Sequence, residues 1–353
     1  MNADVPLLEA ALSRLDPTLS LRRVLARVVE VRDETHDVKT YVLEPNARFG
    51  TFTPGSYVTL HVDVGGRALS RSYSLSSAPG GQGRIAITVK RVPGGVVSNH
   101  LADTLAPGNV VELSAPQGQF VLREPVASER PARLMLSAGS GITPVMSMLR
   151  HLVATGSANG VTFVHFARTP ADLIFRDELE ALAARLPGLR LVLAVEQPGA
   201  SWGGPTGRVS RALVESVAPD FRSAETYLCG PPAFMRAVLE LLEGADADLS
   251  KLRFERFTTD FDASLFLEHT QTVRFLRSKV DALSNRPLTV LQEAEARGVR
   301  VETGCRSGTC GTCQCKKRRG VVFDTSTGRE SGDGEEMIRP CVSIARGLVE
   351  VDL

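Results

Sequence analysis

Apolar positions along this chain follow three successive rhythms. At the start, Leu7, Leu8, Ala11, Leu12 and Leu15 fall at helical spacing and predict a short amphipathic helix in an N-terminal extension, residues 1–20. From about residue 20 to 122, short β-like runs alternate with turn residues: "RVLARVVEVRD", "VKTYVLE", "YVTLHVDV", "RIAITVKRV" and "NVVELSAP". That spacing predicts an antiparallel barrel over 21–127. After the Pro-containing linker "REPVASERPA" the rhythm changes again, and apolar strands alternate with amphipathic helices. "ARLMLSAG" precedes "PVMSMLRHLVATG", "VTFVHFAR" precedes "FRDELEALAARL", "LRLVLAVEQ" precedes "RVSRALVESV", and "AETYLCG" precedes "PPAFMRAVLELLEG". Repeated βα units predict a doubly wound parallel sheet over 128–260. A third unit, 261–353, opens on the linker "TTDFDASLFLEHTQT" (258–272), then a hairpin pattern in "VRFLRSKVDALSNRP". Next comes a helix pattern, "PLTVLQEAEARG", opened by Pro287 and closed by Gly298.

Composition narrows the class without changing this layout. The 353 residues are 43% hydrophobic and 23% charged, with a formal net charge of +1. Such a balance fits a globular protein and gives no global electrostatic case for nucleic acid or an anionic membrane. No apolar run approaches the roughly 18 residues a membrane span needs. The N-terminus carries acids where a signal peptide carries bases, so the expected location is the cytoplasm. The expected state is a monomer. In that compartment clustered cysteines bind metal more often than they pair as disulfides.

Four of the six cysteines lie in "ETGCRSGTCGTCQCKKRRG" (302–320). Cys305, Cys310 and Cys313 are spaced C-x4-C-x2-C, and Cys341 follows after 27 further residues. This is plant-type 2Fe-2S spacing. Gly304, Gly308 and Gly311 permit positive φ and close approach of backbone N–H groups to sulfur. A zinc site would more usually show paired C-x2-C knuckles or histidines, and the nearest histidine, His269, is far upstream. Cys315 is either an alternate ligand or a small buried thiol, and the spacing favours Cys341 as the fourth ligand. Residues from about 271 to 353 resemble a plant-type ferredoxin domain, which implies an α+β β-grasp fold. The run Lys316, Lys317, Arg318, Arg319 reads as a solvated turn, with a second use in steering an acidic partner to the electron exit.

Within the barrel segment stands "RSYSLSS". An arginine suits a phosphate, a tyrosine ring suits a flat heterocycle and a serine can donate to a ring nitrogen, although many exposed strands alternate Arg and Tyr. "VKRVPGGVVSNHL" follows, where a glycine pair before a short helix offers either a pyrophosphate seat or an ordinary turn. Barrel, R-x-Y-S and G-G-x-x-S in this order resemble the flavin domain of the ferredoxin-NADP reductase superfamily, in its FAD-binding members. The resemblance implies that Arg71 and Ser98, with Ser72, Gly95 and Val97 beside them, hold the pyrophosphate. It places Tyr73 on the isoalloxazine, Ser74 at its central ring, and Val89 and Lys90 along the ribityl chain.

In the parallel-sheet segment "SAGSGITP" contributes Gly139, Gly141, Thr143 and Pro144, and "LCGPPAFM" contributes Cys229, Gly230 and Pro231. Glycines at a helix N-terminus suit a pyrophosphate, while paired prolines are also plain helix initiators. Both motifs resemble those that bracket the nicotinamide in the same superfamily, which implies Ser74, Cys229 and Glu255 at the catalytic site, with Phe257 close to the flavin. Glu255 and Phe257, in "FERFTT", are equally compatible with ordinary strand positions. Glu196 in "AVEQPG" opposes a 2′-phosphate, whereas Arg168 can pair with one, and the balance favours NADH over NADPH.

The expected assembly is therefore an NAD(P)H-dependent reductase with FAD and a 2Fe-2S cluster. The whole chain resembles bacterial reductases with a C-terminal ferredoxin domain. A flavin links a two-electron hydride donor to a one-electron centre. A plant-type cluster near about −400 mV can reduce oxygen-activating metals. The sequence has no Rieske pair, haem ligand set or di-iron motif, so the implied acceptor is a separate oxygenase, hydroxylase or fatty-acyl desaturase. The alternative is direct reduction of a small molecule such as a quinone, nitric oxide or a metal chelate.

Overall fold

The computed structural model describes residues 4–123, 131–257, 271–285, 287–304, 306, 308, 311–326 and 329–353. The chain divides into two compact units, Met1–Glu255 and Arg256–Leu353. The proposed linkers 123–132 and 258–272 lie largely outside the described residues; Gln271 and Thr272, assigned to the second linker, already belong to a strand.

The first unit begins with α1 (Asp4–Leu15), as the leucine spacing predicts. Glu9 of this helix accepts the backbone N–H of Leu21 at 2.8 Å, which ties the extension to the start of the barrel. There follow β1 (Val24–Thr35), β2 (Val38–Pro45), β3 (Tyr57–Val64), β4 (Arg67–Ser74), β5 (Ile85–Lys90), α2 (Val96–Thr104) and β6 (Val110–Leu113). These strands form one antiparallel sheet in the order β4-β3-β6-β1-β2-β5. An antiparallel bridge between Leu75 and Ile87 joins the two outer strands. Five of the six strands were legible as apolar runs. The sixth, β4, is polar along most of its length and mostly half-buried, so only its motif stood out.

The same unit continues with β7 (Arg133–Ala138), α3 (Ile142–Ala154), β8 (Val161–Ala167), α4 (Arg176–Arg185), β9 (Leu189–Val195), α5 (Arg211–Val217), β10 (Glu225–Cys229), α6 (Pro232–Glu243) and β11 (Leu252–Glu255). The sheet is parallel throughout, in the order β11-β10-β7-β8-β9. Strand order reverses at β7, so the loops after β7 and β10 flank a topological switch point, where open α/β sheets bind ligands. Helix α3 buries Val145, Met146, Leu149 and Leu152 against one sheet face. Each such side chain contributes about 1.5–3 kcal/mol of transfer free energy. That core also takes in Val38, Phe120 and Leu122, so the barrel and the parallel sheet share one apolar seam.

The second unit contains β12 (Gln271–Phe275), β13 (Val280–Ser284), α7 (Val290–Ala296), β14 (Cys315–Asp324), β15 (Arg329–Glu330), β16 (Glu336–Ile338) and β17 (Ser343–Val351). Its mixed sheet runs β13-β12-β17-β14-β15, with β16 also on β14 and α7 contributing to the core. Helix α7 starts later than Pro287: Thr289 caps it, and Gln292 completes a capping box. Gly298, at φ +73°, closes it as expected.

The basic run 316–319 is strand, contrary to the expected solvated turn. Lys317 is fully buried, and its ammonium donates to the carbonyls of Gly320, Gly332 and Gly334, each at 2.7 Å, beside Glu336. Lys316 and Arg318 pair with Glu335, and Arg318 also with Asp352. A four-residue steering patch does not exist here, because strand alternation turns Lys317 inward and acidic neighbours neutralise two of the others.

Candidate functional site

The flavin-type motif is displayed by β4. Arg71 and Tyr73 alternate with Ser72 and Ser74, so each pair lies on its own face of the strand. Burial pushes the Tyr73 phenol up to about 12, an effect opposed by Arg71 beside it. A neutral, partly buried ring next to a guanidinium suits stacking under an anionic cofactor. Ser72 meets Thr59 at 3.3 Å across the ladder, and Ser74 is buried at the strand end. Val89 is buried on β5, while the Lys90 ammonium pairs with Asp37 at 3.0 Å. Around it His36, Asp37 and Asp172 approach one another. Asp37 is held by Lys90, and Asp172 by Thr169 and Arg168, so the group is an ion-pair network.

Gly94 takes φ +72° and Gly95 caps α2 without any side chain over its first amides. A Cβ at Gly95 would stand 2.6 Å from Ser98 Oγ and 3.1 Å from the Val92 carbonyl. Ser98 Oγ accepts the Val92 N–H at 3.2 Å, and Val97 anchors the helix in the barrel core. The turn therefore leaves a glycine cradle before a helix N-terminus that carries no acidic residue in its first turn, which fits a pyrophosphate.

The two expected nicotinamide loops meet. Gly139, at φ +51°, turns the chain into a short 3-10 segment that ends at Gly141. A Cβ on Gly141 would lie 2.4 Å from the carbonyl carbon and oxygen of Cys229 and 2.5 Å from the Gly230 nitrogen. Glycine is thus required by backbone contact between residues 88 positions apart in the sequence. Thr143 donates its hydroxyl to the Ser140 carbonyl at 3.0 Å, and buried Pro144 completes the first turn of α3. Pro231 caps α6. Cys229 is fully buried, and burial followed by the neighbouring Glu255 raises its thiol well above the usual range. Glu255 sits in register with Cys229 across β10 and β11. A neutral thiol in such surroundings is a poor nucleophile.

At the next strand ends, Arg168 is 68% exposed and pairs with Asp172 at 3.7 Å. The Glu196 N–H donates to the Ala167 carbonyl, which places it beside Arg168, and its carboxylate meets Arg208 at 3.4 Å. Arg208 carried no sequence signal. It arrives through the parallel bridge between Val195 and Thr206, which brings residues 206–208 back to the end of β9.

Of the expected cluster ligands, Cys305 and Cys310 lie outside the described residues. Cys313 and Cys341 are buried together in one small apolar cluster with Leu291 and Val342. Cys315 belongs to a different cluster, the core around Val273, Phe275 and Val290, and burial pushes its thiol up to about 12. Cys313 and Cys341 thus share a cluster that does not include Cys315. The surrounding backbone suits a metal-wrapping loop: Gly308 and Gly311 have φ of +79° and +71°, and Arg339 donates to the Gly308 carbonyl and to Asp324. Phe257 belongs to this second unit and is 39% exposed.

Comparison with known proteins matches three family models in this order: an oxidoreductase FAD-binding domain over residues 25–122, an oxidoreductase NAD-binding domain over 135–240, and a 2Fe-2S iron-sulfur cluster binding domain over 275–346. An NADPH oxidoreductase of Mycobacterium tuberculosis is 36% identical over 96% of this chain and 86% of its own length. The glycine betaine monooxygenase reductase subunit of Chromohalobacter salexigens is 34% identical over 92% and 94%. Among solved structures, phthalate dioxygenase reductase covers 94% of this chain and 98% of its own, with a TM-score of 0.63 and 26% identity.

Proposed function

This chain belongs to the ferredoxin-NADP reductase superfamily, among the reductase components of oxygenases, and on that premise we propose how its residues divide the work. It is an NAD(P)H oxidoreductase that passes electrons through FAD to a 2Fe-2S cluster and on to a partner oxygenase. Bound FAD supplies the exchange between a two-electron donor and a one-electron acceptor. The observation that carries the residue assignment is the contact of Gly141 with Cys229, which closes the two nicotinamide loops into one wall.

Arg71, Ser72, Gly95, Val97 and Ser98 form the pyrophosphate seat, Tyr73 stacks on the flavin ring, and Ser74 is the hydrogen-bonding group at its centre. Val89 and Lys90 border the ribityl chain, the latter by its backbone, since its ammonium is engaged by Asp37. Gly139, Gly141, Thr143 and Pro144 seat the dinucleotide phosphates, while Cys229, Gly230 and Pro231 shape the nicotinamide slot. Glu255 supports that slot through Cys229. Cys305, Cys310, Cys313 and Cys341 are the cluster ligands, and the pairing of Cys313 with Cys341 in one apolar cluster supports this set. Phe257 remains the aromatic assigned to the flavin by resemblance alone. NADH is the preferred donor, with Glu196 as the discriminating group, Arg208 paired with it, and Arg168, paired with Asp172, as the opposing cation. Among the described residues no helix is long and apolar enough to cross a membrane. The proposed setting is a cytoplasmic monomer meeting a separate oxygenase, and the monooxygenase reductase subunits matched over nearly the whole chain favour that acceptor over a small molecule.

Anaerobic titration of the purified protein with NADH is the test. Bleaching of the flavin must be followed by the paramagnetic signal of a reduced 2Fe-2S cluster at low temperature. Flavin bleaching without that signal refutes the assignment, and turnover with a quinone at the rate seen with an oxygenase partner refutes the choice of acceptor.

A further inference from the structure

We infer that Arg150, assisted by Ser147, is the positioning pair that sets the nicotinamide loop against the flavin strand. Both project from α3, three residues apart and so on one face. Ser147 Oγ donates to the carbonyl of Ser77 at 2.7 Å, and Arg150 Nη1 donates to the carbonyl of Ser76 at 2.6 Å. Those carbonyls belong to the second and third residues after Ser74. The helix that carries the two donors starts directly after Gly141. An α-helix is a rigid rod rising about 1.5 Å per residue. The two bonds therefore fix the distance between the G-S-G loop and the strand that presents Tyr73 and Ser74.

The guanidinium is itself clamped. Nε and Nη2 bind the two carboxylate oxygens of Glu178 at 2.8 and 2.5 Å, and Cζ lies 4.6 Å from the centre of the Phe175 ring. Phe175 holds a left-handed conformation, φ +58°, at the start of α4. A fork gripped on two edges and stacked on one face has no freedom to follow a shifted partner. The seam leaves no slack either. A Cβ on Gly55 would stand 2.2 Å from the Phe120 carbonyl oxygen and 2.5 Å from Cε of Met148, the residue that follows Ser147. Packing alone does not explain a charge here, since α3 is otherwise apolar through most of its buried length.

Hydride transfer requires the reacting atoms about 3–3.5 Å apart, and a misplacement of about 1 Å costs on the order of a hundredfold. Arg150 is placed to control that distance while touching neither reacting group. The inference rests on the hydride reading above.

The experiment is anaerobic rapid mixing of holoprotein with NADH, for Arg150→Met, Arg150→Lys and Ser147→Ala. Arg150→Met is expected to slow flavin reduction at saturating NADH at least tenfold, with NADH affinity within twofold and a weakened long-wavelength charge-transfer band. Arg150→Lys regains part of the rate, because an ammonium reaches the Ser76 carbonyl but cannot fork onto Glu178. Ser147→Ala slows reduction about threefold. Variants that lose thermal stability while each bound flavin is still reduced at the wild-type rate overturn the inference, as does an unchanged charge-transfer band. If Arg150→Met does not fold, Ser147→Ala decides by the same criterion. Wild-type protein that fails to bleach with NADH overturns the hydride reading itself; a bleaching wild type with unaltered variants overturns only the role of Arg150 and Ser147.

Discussion

The loop at 139–144 and the loop around Gly308 and Gly311 are both glycine-rich, and they are held by opposite means. The first rests on protein: a sheet strand runs into it, α3 runs out of it, and the Cys229 carbonyl presses on Gly141. The second is held through long side chains, with Arg339 reaching in to the Gly308 carbonyl and the loop's own Arg306 reaching out to Glu295. One loop is preorganised by the chain. The other carries the proposed cluster ligands, and on that proposal the binding free energy of the cluster becomes folding free energy.

Removing one thiolate gives the largest effect and tests the second loop. Cys341→Ser is expected to abolish electron delivery to an oxygenase. Iron and acid-labile sulfide should fall to near zero while FAD content and flavin bleaching by NADH persist. Cys315→Ala, in the neighbouring core, should keep the full iron content and cost only about 1 kcal/mol in stability. Equal iron loss in both would put Cys315 among the ligands.

Next in size is the first loop. Gly141→Ala places a methyl where the Cys229 carbonyl already stands, so one loop must retreat. Flavin reduction by NADH should slow about a hundredfold, with FAD and iron content unchanged. Rapid mixing at saturating NADH measures it. A variant reducing at the wild-type rate would show that the wall formed by the two loops has no part in hydride transfer.

A smaller effect lies directly behind that loop. His165 is fully buried on β8, its Nδ1 3.0 Å from Ser137 Oγ, and burial lowers it to about 3. The unfolded chain takes up this proton near its ordinary value of about 6.5, while the folded chain refuses it until about pH 3. The unfolded state binds more protons in that window, so stability is complete above about pH 6.5 and is lost as pH falls towards 3, by up to about 1.4 kcal/mol per pH unit. Denaturant midpoints of the first unit, followed between pH 7 and pH 4, should fall more steeply in wild type than in His165→Asn. Parallel curves would mean that His165 takes no part in acid lability.

What sequence made legible follows the same division. The proposed cluster ligands stand out because three of the four lie within nine residues at plant-type spacing. Gly141 meets Cys229 across two intervening βα units, so only resemblance connected the two loops proposed to bracket the nicotinamide. Arg150 was hidden for a related reason: its partners Ser76 and Glu178 sit far away in sequence on either side. The one available hint was a lone guanidinium in "PVMSMLRHLVATG". Lys317 misled in the other direction. A run of four bases looks uniform in one dimension, yet the strand sends one of them, Lys317, inward, where glycine carbonyls from residues 320, 332 and 334 take the place of water, while Arg319 stays exposed.

The smallest expected effect concerns donor choice, at the exposed edge of the preorganised half. Glu196 is the only acid at the end of β9, and Arg208 lies across it at 3.4 Å while Arg168 stands on the adjoining strand end. All three are partly exposed, so solvent screens them and each interaction is modest. Glu196→Gln removes the repulsion a 2′-phosphate would feel and frees Arg208 to pair with it. The ratio of kcat/KM for NADPH to that for NADH should rise about three- to tenfold, chiefly through the KM for NADPH, while kcat with NADH stays unchanged. Arg208→Gln should move the ratio the opposite way. Unaltered ratios in both variants would remove these strand ends from donor selection and move the search for it to another loop of the sheet.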